Sequence, residues 1–308
     1  MKMKKYIFLS LLFSAVFTEV KSQQDALYSQ YMFNPFMINP AYAGSRDATS
    51  AVLLFREQWL GIDGAPSTQT FSIHSPFQKQ KMALGLNISN DVIGPTKNSG
   101  AFVTYAYHLK LAKAKLSFGL RGGLYNSRLD QSMLNYQDQT DHFIGASTVN
   151  AISPSFDFGT YYYTRNFYIG ASATHLTQNK FLYEGLPEGS NFELRRHYML
   201  ATGYAWEISE NAVFKPSALV KFVDHAPVNV DINASFLFKK VFWLGLSYRS
   251  AGSIVFITEY NIAQTVRIGY SYDLVTSGLK RFSGATHELF VGFDINVRKV
   301  KSVSPRFL

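Results

Sequence analysis

The 308-residue chain contains no cysteine. That excludes disulfides, thiolate metal sites and a cysteine nucleophile, so stability must come from another source. Charge is also scarce, since Asp, Glu, Lys and Arg make up only 17% of the residues against about a quarter in ordinary globular chains. No block of five or more like charges occurs, which argues against a nucleic-acid partner. The net charge of +9 falls to +6 when Lys2, Lys4, Lys5, Lys21 and Glu19 of the leader are set aside. That modest excess suits an anionic partner or lipid head groups. Beyond the leader there is no long apolar run, no linker composition and no repeat at solenoid or propeller period. Helical periodicity is nearly absent, and one large β domain is expected.

What the chain does have is aromatic residues, at 16%, and strict period-two alternation. Met82, Leu84, Leu86 and Ile88 alternate with Ala83, Gly85, Asn87 and Ser89. Leu116, Phe118 and Leu120 alternate with Ser117, Gly119 and Arg121. The same pattern runs through 167–174, 228–236, 266–273 and 289–298. It predicts antiparallel strands with one apolar and one polar face. About fourteen strands follow, many of about 9–12 residues, the length a tilted strand needs to cross a bilayer. They fall at 48–59, 67–74, 82–90, 98–109, 115–126, 151–163, 166–176, 195–208, 212–223, 227–238, 241–250, 253–261, 264–273 and 286–297.

Connection lengths give a separate signal. Links after even-numbered strands are short, while 127–150, 177–194 and 274–285 all follow odd-numbered ones. Short turns on one rim and long loops on the other is the build of an outer-membrane barrel, with the turns facing the periplasm. The parity places both chain ends at the short-turn rim. Tyr105, Tyr107, Tyr125, Tyr162, Tyr198, Tyr248, Tyr260, Tyr270 and Tyr272 lie near strand ends, as girdle residues do. The fold class is therefore all-β, a transmembrane antiparallel barrel of about 14 strands with apolar residues toward lipid. A soluble β-sandwich is the competing architecture.

The chain opens with Lys2, Lys4 and Lys5, an apolar stretch from Tyr6 to Phe17, and small residues before a cut after Ser22. This reads as a cleaved secretory signal over residues 1–22, because its apolar core is too short to span a bilayer. Residues 23–47 are rich in aromatics, Asn and Pro and alternate poorly. Asn34-Pro35 and Asn39-Pro40 dictate a kinked, non-strand path. Tyr28, Tyr31, Phe33, Phe36 and Tyr42 supply packing area with polar handles. A lumen of fourteen strands is too wide to be filled by its own side chains. Residues 24–46 are expected to fold back into it from the periplasmic rim as a plug, or to form a periplasmic docking tail. The barrel follows over 48–298 and a C-terminal tail over 299–308.

Enzymatic motifs are missing: no GxSxG elbow, Walker loop, GxGxxG turn or HExxH occurs. His74 with Ser72 or Ser75 is the one candidate pair for a hydrolase, and it is weak. His74, His108, His142, His175, His197, His225 and His287 are scattered singly, so spacing designates no metal ligand set and strand-end or lumen hydrogen bonding is expected. Asp63-Gly64 reads as a turn, and Asp138 to Asp141 as a solvated loop without regular calcium-loop spacing. No cofactor is expected.

The run QQDALYSQYMFNPFMINPAYAGSRD from Gln23, followed by FREQWLGIDGAPSTQTFSIHSPF, resembles the start of the PorP/SprF family of type IX secretion outer-membrane proteins. Its landmarks are Gln30-Tyr31-Met32, Asn34-Pro35, Asn39-Pro40-Ala41-Tyr42-Ala43-Gly44, Arg56-Glu57-Gln58-Trp59 and Gly64-Ala65-Pro66. The resemblance loosens beyond Phe77. It implies a non-enzymatic secretion component in the outer membrane of a Bacteroidota cell. Partners would be a secreted adhesin, gliding adhesins included, or its C-terminal sorting domain, together with other type IX translocon and periplasmic subunits. Tyr28, Gln30, Tyr31, Phe33, Asn34, Pro35, Asn39, Pro40, Tyr42, Gly44, Arg56 and Trp59 are the residues singled out for the plug or for partner binding. A channel for small solutes is the alternative.

Overall fold

The computed structural model describes residues 25–46, 48–77, 81–134, 148–181, 192–262 and 265–296. The signal segment 1–22, the tail 299–308, the acidic run Asp138 to Asp141 and most of the loops 127–150 and 177–194 lie outside the described residues. Among the described residues no helix is long and apolar enough to cross a membrane, and the chain crosses with strands.

The strands are β1 (Ala48–Glu57), β2 (Ser67–Phe77), β3 (Met82–Ile93), β4 (Thr96–Lys110), β5 (Lys115–Asp130) and β6 (Thr148–Tyr163). Then come β7 (Phe167–Thr174), a two-residue ribbon of β8 (Lys180–Phe181) with β9 (Phe192–Glu193), β10 (His197–Tyr204) and β11 (Trp206–Ser209). The series ends with β12 (Ala212–Val223), β13 (Asn229–Phe238), β14 (Phe242–Arg249), β15 (Ser253–Ile262), β16 (Val266–Val275) and β17 (Thr286–Asn296). β10 and β11 are one barrel strand interrupted at Ala205, whose N–H still donates to the Asn166 carbonyl at 2.7 Å. Counting them as one gives a closed antiparallel barrel of fourteen strands. The first and last strands seal it, from Ala48 opposite Asn296 to Glu57 opposite His287. On the far side β10 pairs with both β7 and β12. Closure leaves no free edge, which is what a bilayer demands of a sheet.

Alternation sorts the two faces. Val103, Leu120, Leu124 and Ile152 point outward with about 60% of their surface uncovered (61%, 61%, 58% and 62%). That broad apolar belt suits lipid and would be a liability in water. Ser117, Arg121, Asp157, Asp231, Ser271 and Glu288 point inward and are buried. One girdle assignment is corrected. Tyr125 shares the parity of Arg121 on β5, so it faces the lumen, where its ring packs against His175 at 5.7 Å and Phe181 at 5.9 Å. The inner face also carries Val52, Leu54, Leu219, Trp243, Val255, Ile257 and Phe290, all buried. Apolar residues on a water-filled wall would be costly, so their presence calls for something inside.

Candidate functional site

Residues 25–46 occupy the lumen. The segment is almost wholly buried from Ser29 to Ser45. Two single-turn 3-10 segments, Pro35–Met37 and Pro40–Tyr42, each start at a proline, whose missing N–H costs nothing at a helix start. Asn39 caps the second, its Oδ1 accepting from the Ala41 N–H at 2.9 Å. Its Nδ2 donates to the Thr160 carbonyl at 2.9 Å, tying the turn to β6. Glycines on the wall let the segment come close. A Cβ at Gly119 would overlap the Pro40–Ala41 peptide, and one at Gly159 would overlap the Asn39 side chain. Gly44 has φ of +72°, and a Cβ there would collide with Ala83.

The segment has little regular structure, so its backbone carbonyls need donors from elsewhere. Six barrel strands supply them. Arg249 donates to the carbonyl of Tyr28 at 3.1 Å, Lys215 to Met32 at 3.4 Å and Arg267 to Phe33 at 3.3 Å. Arg121 reaches Met37 at 3.0 Å, Ser172 reaches Ile38 at 2.6 Å, Ser117 reaches Ala41 at 2.7 Å and His108 reaches Ala43 at 2.8 Å. The apolar inner wall covers the side chains. Phe33 tilts against Trp243 and Phe290, with ring centroids at 5.9 and 6.5 Å, and Tyr42 meets Tyr161 edge-on at 5.3 Å.

Two charged networks grip the segment at different levels. Toward the long loops, Arg56 lies between Asp273 at 2.8 Å and Glu288 at 3.0 Å, and it also donates to Ser29 Oγ at 2.8 Å. Glu288 accepts from the N–H groups of Ser29 and Gln30, both at 2.8 Å. Arg249 and Lys221 continue this network to Asp231. Toward the short turns, Arg46 and Arg267 share Asp294 at 2.7 and 3.0 Å. The segment is held stretched between these levels. It enters from the short-turn rim at Arg46 and folds back into the lumen from there, as expected. It runs through the barrel, and Asp25 lies near the opposite mouth, beside Thr174 and His175 at the end of β7. Only the strand ends, Ala48 and Asn296, share the short-turn rim.

At that mouth Asp25 Oδ1 meets His175 Nε2 at 2.9 Å and Asp25 Oδ2 lies 3.5 Å from His197 Nδ1. Burial opposes the Asp25 charge, but the two imidazoles outweigh it and hold the carboxyl well below the usual carboxylate range. Burial likewise opposes a charged His175, and the Asp25 carboxylate reverses the balance and raises its pKa. A cavity of about 110 Å³ opens here, lined by Leu27, Met37, Phe102, Met199 and Leu219 together with Asp25, Arg121, His175 and His197.

Of the residues singled out from sequence, Tyr28, Gln30, Tyr31, Phe33, Asn34, Pro35, Asn39, Pro40, Tyr42 and Gly44 lie in this segment, and Arg56 reaches it from β1. Asn34 Nδ2 donates to Ser72 Oγ at 3.0 Å. Trp59 is apart from them, at the long-loop rim with φ of +49° and its N–H on Thr286 Oγ1 at 3.1 Å. His74 and Ser72 both face the lumen and serve the segment, while Ser75 faces outward and pairs with Thr49, so this candidate pair is not brought together on the outer face. The wall partners Arg121, Lys215, Arg249, Arg267, Asp273 and Glu288 carry no local motif. Their only signal is a charge at an inward position of an alternating strand.

A family model described as "Type IX secretion system membrane protein PorP/SprF" matches residues 20–293. No curated protein matches the sequence. Among solved structures, the toluene transporter TbuX of Ralstonia pickettii superposes with a TM-score of 0.54 at 11% identity, over 86% of this chain and 93% of that one. The toluene transporter TodX of Pseudomonas putida gives a TM-score of 0.51 at 13% identity, over 85% and 93%. The monoaromatic hydrocarbon channel CymD gives a TM-score of 0.51 at 12% identity, over 88% and 94%. At such identities the likeness is one of fold alone: these are outer-membrane barrels, and so is this chain.

Proposed function

This chain belongs to the PorP/SprF family of type IX secretion membrane proteins, and from that premise we propose that it is a plugged barrel that holds secreted cargo at the cell surface. It is a type IX secretion component of the outer membrane. In this reading its long-loop face binds an adhesin-type protein through that protein's C-terminal sorting domain. Its short-turn rim docks the periplasmic part of the machinery. The observation that carries the reading is the filled lumen. A barrel whose inner wall spends six strands on the carbonyls of a fixed segment is built as a scaffold rather than as a pore. Loops positioned on a rigid wall are the natural place for recognition.

Affinity capture of the native protein from detergent-solubilised outer membranes tests this. Recovery of a large secreted protein with a conserved C-terminal domain, lost when loop 276–285 is replaced by a short turn, is the expected result. Capture of no secreted protein, combined with steady conductance of the purified barrel in a planar bilayer, overturns it in favour of a solute channel.

A further inference from the structure

The segment's N-terminal end brings together three groups that the chain keeps far apart. Asp25 comes from the lumen segment, His175 follows β7, and His197 opens β10. One ligand atom from each lies within 4.8 Å of the other two. We propose that Asp25, His175 and His197 form a site for a borderline divalent cation of the zinc class, which pins the N-terminal end of the lumen segment to the barrel wall at the long-loop mouth.

The geometry fits. Tetrahedral ligation with bonds of about 2.0–2.1 Å sets neighbouring donor atoms about 3.3–3.4 Å apart. Asp25 Oδ1 and His175 Nε2 lie 2.9 Å apart, near that spacing, and the ligand atoms of the three residues all fall within 4.8 Å of one another. Both imidazoles are oriented from behind, as metal-bound histidines usually are. His175 Nδ1 lies 2.8 Å from Ser155 Oγ. His197 Nδ1 lies 2.9 Å from the Arg195 carbonyl. With a proton on Nδ1 for that carbonyl, Nε2 keeps its lone pair, and this atom has no hydrogen-bond partner although His197 is only 6% exposed. Nearby charge does not forbid a cation. Arg121 is occupied by the Asp157 carboxylate, and Lys221 by Asp231 at 3.2 Å. Imidazole and carboxylate donors without thiolate select zinc, nickel or cobalt over calcium or magnesium. Three protein ligands leave one position toward the cavity for water. The inference does not rest on the secretion reading.

Untagged protein, purified in detergent and stripped with chelator, is titrated with Zn²⁺ by calorimetry and with Co²⁺ by visible absorption. One ion per chain is expected, with a Co²⁺ spectrum of nitrogen–oxygen ligation. Asp25→Asn and His197→Ala abolish binding, Ser155→Ala weakens it by about tenfold or more, and His225→Ala leaves it unchanged. The last is the control, because His225 forms an exposed pair with Asp224 at 2.9 Å. Retained heat-modifiable gel mobility shows that each variant is folded; where His197→Ala fails this, His197→Gln replaces it. A spin label at Ala26 should become immobile on adding Zn²⁺. Absence of binding, or binding that survives His197→Ala and Asp25→Asn in folded protein, overturns the site.

Discussion

Arg56 shows what single residues do here. It is 2% exposed and serves two carboxylates, Asp273 and Glu288, that are 2% and 0% exposed themselves. Replacing it with alanine leaves Glu288 buried without the Arg56 cation, leaves Asp273 with only Arg249 at 3.6 Å, and loosens the N-terminal half of the lumen segment. Removal of one partner from a buried pair costs about 3–5 kcal/mol, and urea unfolding of the barrel in detergent micelles is expected to show a loss of that order for Arg56→Ala. Arg165→Ala is the comparison. Its partner Glu207 is 3.3 Å away, but the two are 72% and 44% exposed, so the change should stay below about 1 kcal/mol. Equal effects would refute the division between structural lumen charges and idle surface ones. Arg56 could be singled out from the sequence because it sits in a recognisable run. Its acids could not, because Asp273 and Glu288 follow more than two hundred residues later.

At the scale of elements, the strands were legible and the lumen segment only half so. Period-two alternation located all fourteen barrel strands, since one face must meet lipid and the other must not. The interruption at Ala205 and the extension of β6 back to Thr148 were not readable, because both depend on which backbone groups find partners across the sheet. For residues 25–46 the prolines and aromatics implied a kinked, buried path. They did not say that it reaches through the barrel to the opposite mouth. Deleting residues 25–46 removes the contents of the lumen while leaving every ladder hydrogen bond intact. The deleted protein is expected to conduct ions in a planar bilayer at well above the level of the intact one. Unchanged conductance would mean that the long loops, rather than the segment, close the barrel.

For the whole molecule, the decisive feature is that the segment crosses the lumen from Arg46 near the short turns to Asp25 near the long loops. With long loops on the outside, Ala26 lies toward the cell surface and the exposed Lys113, in the 111–114 turn, toward the periplasm. The chain has no cysteine of its own, so single substitutions report cleanly. On intact cells Ala26→Cys should react with a membrane-impermeant maleimide, whereas Lys113→Cys should react only after the outer membrane is permeabilised. The reverse pattern would invert the barrel.

The sequence by itself determined that this protein is a membrane barrel, how many strands it has, which face of each meets lipid, and which rim carries the long loops. These are properties of near neighbours in the chain, set by a two-residue pleat and by turn length. Only the tertiary structure decided that the segment fills the barrel rather than hanging below it, how far it reaches, and which charges meet. Asp25 lies 150 residues from His175 and Arg46 lies 248 from Asp294. Such pairs come together when the sheet closes on itself, and closure brings inward-facing residues of every strand around a common axis.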